Sequence, residues 1–159
     1  MWGHGKRRRM VRGPLEPDGP PGVASILCQR FLCVLCRCVM LVVPRGMLAL
    51  RQYGAGAIAL ALAAFGLEGQ GHDAVRSRVS GVGHIGFAAY GRWVTLRRWV
   101  AAIISGRLFG RLGLADVRVG GTWRQRAARA AQAFLGHAPV GLRGASILVR
   151  AFHGGVQMA

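Results

Sequence analysis

Ahead of residue 54 the apolar positions alternate over short runs, and behind it they recur every three to four residues. The first part predicts three short strands. KRRRMV (6–11) is basic and exposed. VASILCQRF (23–31) places Ile26 and Cys28 on one face and Leu27 and Gln29 on the other. CVMLVVP (38–44) is β-branched, apolar and stopped by Pro44. PLEPDGPPG (14–22), between the first two, is dense in proline and glycine and reads as a turn or loop. Three strands are too few to stand alone, so a metal or a helical neighbour must support them.

Residues 55–65 are rich in alanine and leucine and predict a helix ended by Gly66 and Gly69. GHDAVRSRVS (71–80) predicts about two helical turns, with Ala74, Val75 and Val79 inward and Arg76 and Arg78 outward. The strongest helical pattern is YGRWVTLRRWVAAIISG (90–106). There Trp93, Leu96, Val100 and Ile103 make one buried stripe, and Arg92, Arg97 and Arg98 lie off it. After a loop over 106–121, Thr122 is placed to cap a helix carrying the stripe Trp123, Ala127, Ala130 and Phe134, with Gly136 and Pro139 at its end. Residues 140–159 show no firm pattern, and a poorly ordered tail is expected over 139–159.

Charge narrows the class of partner. The 159 residues carry 22 Lys and Arg against 5 Asp and Glu, a net +17, with a pI near 11.9. Acidic partners follow, nucleic acid first and an anionic membrane second. Lys6 is the only lysine, and arginine, alanine and glycine abound, a bias that GC-rich codons also produce. The basic start is followed by PLEPDGPPG instead of an apolar segment, so it does not read as a secretory signal. The apolar run 55–67 falls short of the roughly 20 residues a bilayer span needs, which makes a membrane partner unlikely and a buried helix the expectation. The expected location is the cytoplasm, at the nucleoid when bound to DNA.

All four cysteines lie in CQRFLCVLCRC (28–38). Cys33 and Cys36 have the C-x-x-C spacing of a zinc half-site, whose tight knuckle turns two sulfurs toward one point. Cys28, Cys38 and His4 are the further candidate ligands. Cys28 lies five residues before Cys33, so a regular strand would point the two to opposite faces, and Cys38 reaches the metal only if the backbone turns sharply after Cys36. Arg30, Arg37 and Arg45 favour thiolates, which serves metal binding and reactivity alike.

The order of these pieces resembles a bacterial zinc-ribbon module. A basic strand, KRRRMVRG, is followed by a Pro-Gly turn and the step Arg30-Phe31-Leu32-Cys33, then VMLVVPRG. The apolar helix and GRWVTLRRW resemble the helix-turn-helix part that follows the ribbon in insertion-sequence transposases and their relatives. In those modules a first C-x-x-C precedes the basic strand; here it would fall before Met1, so the resemblance implies a truncated module. It covers roughly residues 1–105. It implies an α+β fold, with a zinc-ribbon-like β-hairpin part at 1–46, a helix-turn-helix-like region at 47–105, and a loop plus basic helix at 106–138. It also implies DNA as partner and a structural zinc held in part by Cys33 and Cys36. Two chains each lending one knuckle to a shared zinc would make a homodimer a candidate assembly. The DNA-contacting set is Arg7, Arg8, Arg9, Arg76, Arg78, Arg92, Arg97 and Arg98.

Catalysis is not expected. The five acids, Glu16, Asp18, Glu68, Asp73 and Asp116, are scattered, and two-metal phosphoryl transfer needs them clustered. No G-x-x-x-x-G-K loop and no small-molecule site is evident. The competing readings are an inert remnant of a mobile-element protein and a small basic membrane-associated protein.

Overall fold

The computed structural model describes residues 1–48, 51–81, 93–114 and 120–159. Three strands, β1 (Trp2–Arg12), β2 (Val23–Leu32) and β3 (Val39–Val42), form an antiparallel sheet in the order β1-β2-β3. The helices α1 (Ala55–Gly66), α2 (His72–Val79), α3 (Val94–Ile104), α4 (Trp123–Gly136) and α5 (Ile147–Gln157) follow, so the fold is α+β.

The register fixes the faces of the sheet. Arg7 lies opposite Cys28, Arg9 opposite Ile26 and Val11 opposite Ala24, while Arg30 faces Leu41 and Leu32 faces Val39. Opposed residues share a face. One face therefore carries Arg7, Arg9, Cys28, Arg30 and Leu41, and the other carries Arg8, Leu27, Gln29, Phe31 and Met40. A bulge between Gly3 and Lys6 breaks the ladder, with Gly5 at a positive φ of 76°. Val11 and Cys28 are each 1% exposed, and Val11 sits beside the start of α1 and beside Phe152 and Val156 of α5.

Backbone bonds tie the sheet to the helices. The Arg12 N–H donates to the Gln52 carbonyl at 2.7 Å, and the Gly54 N–H donates to the Arg12 carbonyl at 3.2 Å. Gly13, at φ 102°, has no room for a side chain, since a Cβ there would lie 2.5 Å from that of Ala57.

Helix α1 is apolar on every side, and all of its residues except Gly66 are buried. A helix of that kind has no solvent face and must be enclosed. Here α4 and α5 pack most extensively on it, with α2 and α3 completing the ring. Small residues let the axes approach: a Cβ on Gly155 would lie 2.6 Å from the Ala59 Cβ, and one on Gly56 would lie 2.7 Å from the Phe152 ring. At its C-terminal end the Arg124 guanidinium bonds to the carbonyls of Phe65 and Gln70 and stacks 4.3 Å over the Phe65 ring. A cation there satisfies orphan carbonyls and opposes the helix dipole.

The buried stripe expected at Trp93, Leu96, Val100 and Ile103 is present, at 1–6% exposure. Trp93 stacks edge-on with Trp99 and Tyr53, with centroids 5.1 and 6.4 Å apart. Helix α4 starts where Thr122 predicts it, through a reciprocal capping box with Gln125. Two expectations change. Ala74 is exposed on α2, and only Val75 and Val79 turn inward. The tail expected to lack order over 139–159 carries α5, capped by the Ser146 hydroxyl accepting from the Val149 N–H at 3.3 Å and packed on α1 and α4. Among the described residues α2 packs on α1, and α3 packs chiefly on α4. The connection between α2 and α3, with Arg92, lies outside the described residues.

Candidate functional site

Alternation along β1 sends neighbouring arginines to opposite sides of the sheet. Arg7 and Arg8 are exposed. Arg9 is half-buried and committed: its guanidinium donates to the carbonyls of Leu48 and of Arg51, the latter at 2.6 Å. Those two bonds hold the segment after β3 against the sheet. Between them runs a cleft of about 360 Å³ lined by Arg7, Arg8, Arg9, Met10, Leu41, Arg51 and Gln52. A second concavity shares Arg7 and Leu41 with it and adds Arg30 and Val39. No acidic residue lines either one.

Of the remaining arginines expected to contact DNA, Arg76, Arg78, Arg97 and Arg98 are not part of this cleft. Arg76 pairs with Asp73 at 3.1 Å. Arg97 lies 4.7 Å over the Trp123 ring, which also carries Arg126 at 5.2 Å. Arg78 and Arg98 are exposed on α2 and α3. Arg51 lines the cleft and Arg30 the second concavity, although neither was expected as a DNA contact. Arg30 was within reach, because it shares strand parity with Cys28; Arg51 sits in an irregular segment with no such signal.

The cysteines divide in two. Cys28 is buried in the sheet, opposite Arg7 and away from the β2–β3 turn. Cys33, Cys36 and Cys38 lie in that turn, with Cys33 half-buried and the other two exposed. The Cys33 N–H donates to the Cys38 carbonyl and the Arg37 N–H to the Cys33 carbonyl, both at 2.9 Å. Arg37 takes a left-handed φ of 59°, which supplies the sharp turn that Cys38 needs to come back beside Cys36. The Cys38 N–H, and then the Cys33 and Cys38 thiols, hydrogen-bond to the Cys36 sulfur and hold its pKa below the usual thiol range. His4 lies in the bulged stretch of β1 opposite residues 29–31, whereas the residue paired next to Cys33 is Trp2, opposite Leu32.

A structural zinc needs four ligands in a tetrahedron. Among the described residues no group of three or more His, Cys, Asp or Glu is placed to hold a metal ion. Cys28 is buried in the sheet and His4 lies down β1 from the turn that carries Cys33, Cys36 and Cys38.

Among the described residues no helix is long and apolar enough to cross a membrane. Comparison of the chain with protein-family models, with curated proteins and with solved structures gives no match.

Proposed function

We propose that this chain binds DNA through the arginine-lined cleft of its sheet, as a binding module without catalysis. The observation that carries the reading is a pair of concavities that share Arg7 and Leu41, one also lined by Arg8 and Arg51 and the other by Arg30, with no carboxylate in either lining. Arginines gathered without acids repel one another, and a polyphosphate backbone relieves that repulsion while releasing its own counterions. Met10, Val39 and Leu41 give the same surface an apolar floor that suits sugar and base edges. Helix α3 is a weaker groove reader than its sequence suggests, because Arg97 is stacked on Trp123 and Leu96, Trp99, Val100, Ala102 and Ile103 are turned into the core. The reading does not depend on zinc. It places the protein in the cytoplasm, at the nucleoid.

Bulk charge alone makes a +17 chain adhere to DNA, so the test must locate the contact. Binding of a labelled duplex is measured against salt for the double variant Arg7→Ala/Arg8→Ala and for a control of equal charge, Arg129→Ala/Arg143→Ala, at exposed positions on the helical side. Each phosphate contact contributes about −0.9 to the slope of log affinity against log salt, so the cleft variant loses about 1.8 units. The control slope stays near that of the parent. Equal losses in both variants would refute a localised interface.

A further inference from the structure

The sheet joins the helices near Val11 and Arg12, which meet α1, α5 and residues 52–54. From Arg12 back to Trp2, β1 runs roughly 30 Å at the rise of a strand, so the far end of the sheet stands well away from that junction. At this tip Trp2, Leu32 and Val39 lie abreast, one on each strand, and share a face. The β2–β3 turn projects past them with Val34 and Leu35. Leu35 is 91% exposed and Trp2 71%, and Val34 and Val39 are exposed as well. Large apolar side chains gathered in water mark a contact surface. Cations stand close behind them, Lys6, Arg7 and Arg30 on the strands and Arg37 in the turn. The three strands and the β2–β3 turn contain no Asp or Glu.

We propose that this tip docks on an anionic lipid bilayer, its apolar side chains entering the interface and its cations meeting lipid phosphates. Charge selects the occupant first. An anionic leaflet attracts each Arg or Lys held near its surface, whereas a second copy seated on the tip would bring the same cations face to face. Shape and chemistry agree. A turn projecting from the end of a sheet is a wedge, which a fluid interface accepts without a matching pocket. A duplex supplies phosphates but no apolar layer in which to bury Leu35. The Trp2 indole, an apolar body with one N–H donor, suits the headgroup level of a bilayer. Surface docking needs no spanning segment, so it is compatible with described helices that are all too short to cross a membrane. It also stands apart from the DNA reading, because Trp2, Val34 and Leu35 line neither concavity.

A net charge of +17 will draw the whole chain to anionic vesicles, so the test isolates the tip. The full chain is sedimented with vesicles of equal parts phosphatidylglycerol and phosphatidylcholine. The parent is compared with Val34→Ser/Leu35→Ser and with a control, Val94→Ser/Val140→Ser, at exposed apolar positions on the helical side. Removing two side chains that would leave water lowers the tip variant's affinity at least ~10-fold. The control's vesicle binding and the tip variant's duplex binding stay at the parent's level. Brominated acyl chains quench the parent's tryptophan fluorescence, and Trp2→Phe abolishes most of that quenching, since Trp93 and Trp99 are buried and Trp123 is half-buried. Equal vesicle binding by the tip and control variants would overturn the proposal, as would quenching that survives Trp2→Phe. Self-association in solution that disappears in Val34→Ser/Leu35→Ser would overturn it in favour of a second copy.

Discussion

Helix α1 and strand β3 are both written in uncharged, largely apolar residues, yet every α1 residue from Ala55 to Phe65 is buried while Val39, Met40, Leu41 and Val42 range from 37 to 54% exposed. Neighbours account for the difference. Helices before and behind it in space surround α1, and their approach is close because alanine and glycine line the contacts. Strand β3 is an edge with one partner, β2, so its side chains on both faces meet solvent. The comparison separates two jobs within one chain. The helices hold the structure together, and the sheet, with its arginines and its cysteine turn, presents chemistry outward.

The largest expected break in that comparison is Ile58→Ala in α1. The side chain is 0% exposed in a tightly enclosed helix, so the cost is about 2–5 kcal/mol. Leu41→Ala in β3 changes stability by no more than about 0.5 kcal/mol, because the side chain already meets solvent. Denaturant unfolding of both variants checks the pair; equal losses would mean that the sheet contributes to the core as α1 does. Next in size is Gly155→Ala. Its new methyl must push α5 away from Ala59 and the Ala55 carbonyl, at about 1–3 kcal/mol of overpacking by the same measurement. An unchanged or raised stability would show that α5 has slack against α1.

Much of this division was readable in advance. The period change at residue 54, the all-round apolar run of α1, the α3 stripe and the Thr122 cap each follow from residue order, because local spacing decides them. Helix α5 escaped for a specific reason. Its buried face of Leu148, Ala151, Phe152, Gly154 and Gly155 includes two glycines, which add no hydrophobic signal yet leave no room for a Cβ against Phe134 or Ala59. The arginines were harder. Nothing local to β1 tells that Arg9 serves the carbonyls of residues 39 and 42 positions later, while Arg7 and Arg8 stay free for a ligand. That distinction depends on strand register and on where an irregular segment crosses the sheet. The cysteine turn lay between these cases: the spacing announced a knuckle, but only the left-handed Arg37 shows that Cys38 joins it.

The central claim is that the sheet, and not α3, meets DNA. The most direct measurement is backbone hydrogen exchange of the full chain with and without a short duplex. The account predicts slowed exchange in β1, in β3 and around residues 51–52, with α3 unchanged. Slowing confined to α3, with the sheet unaffected, would contradict it.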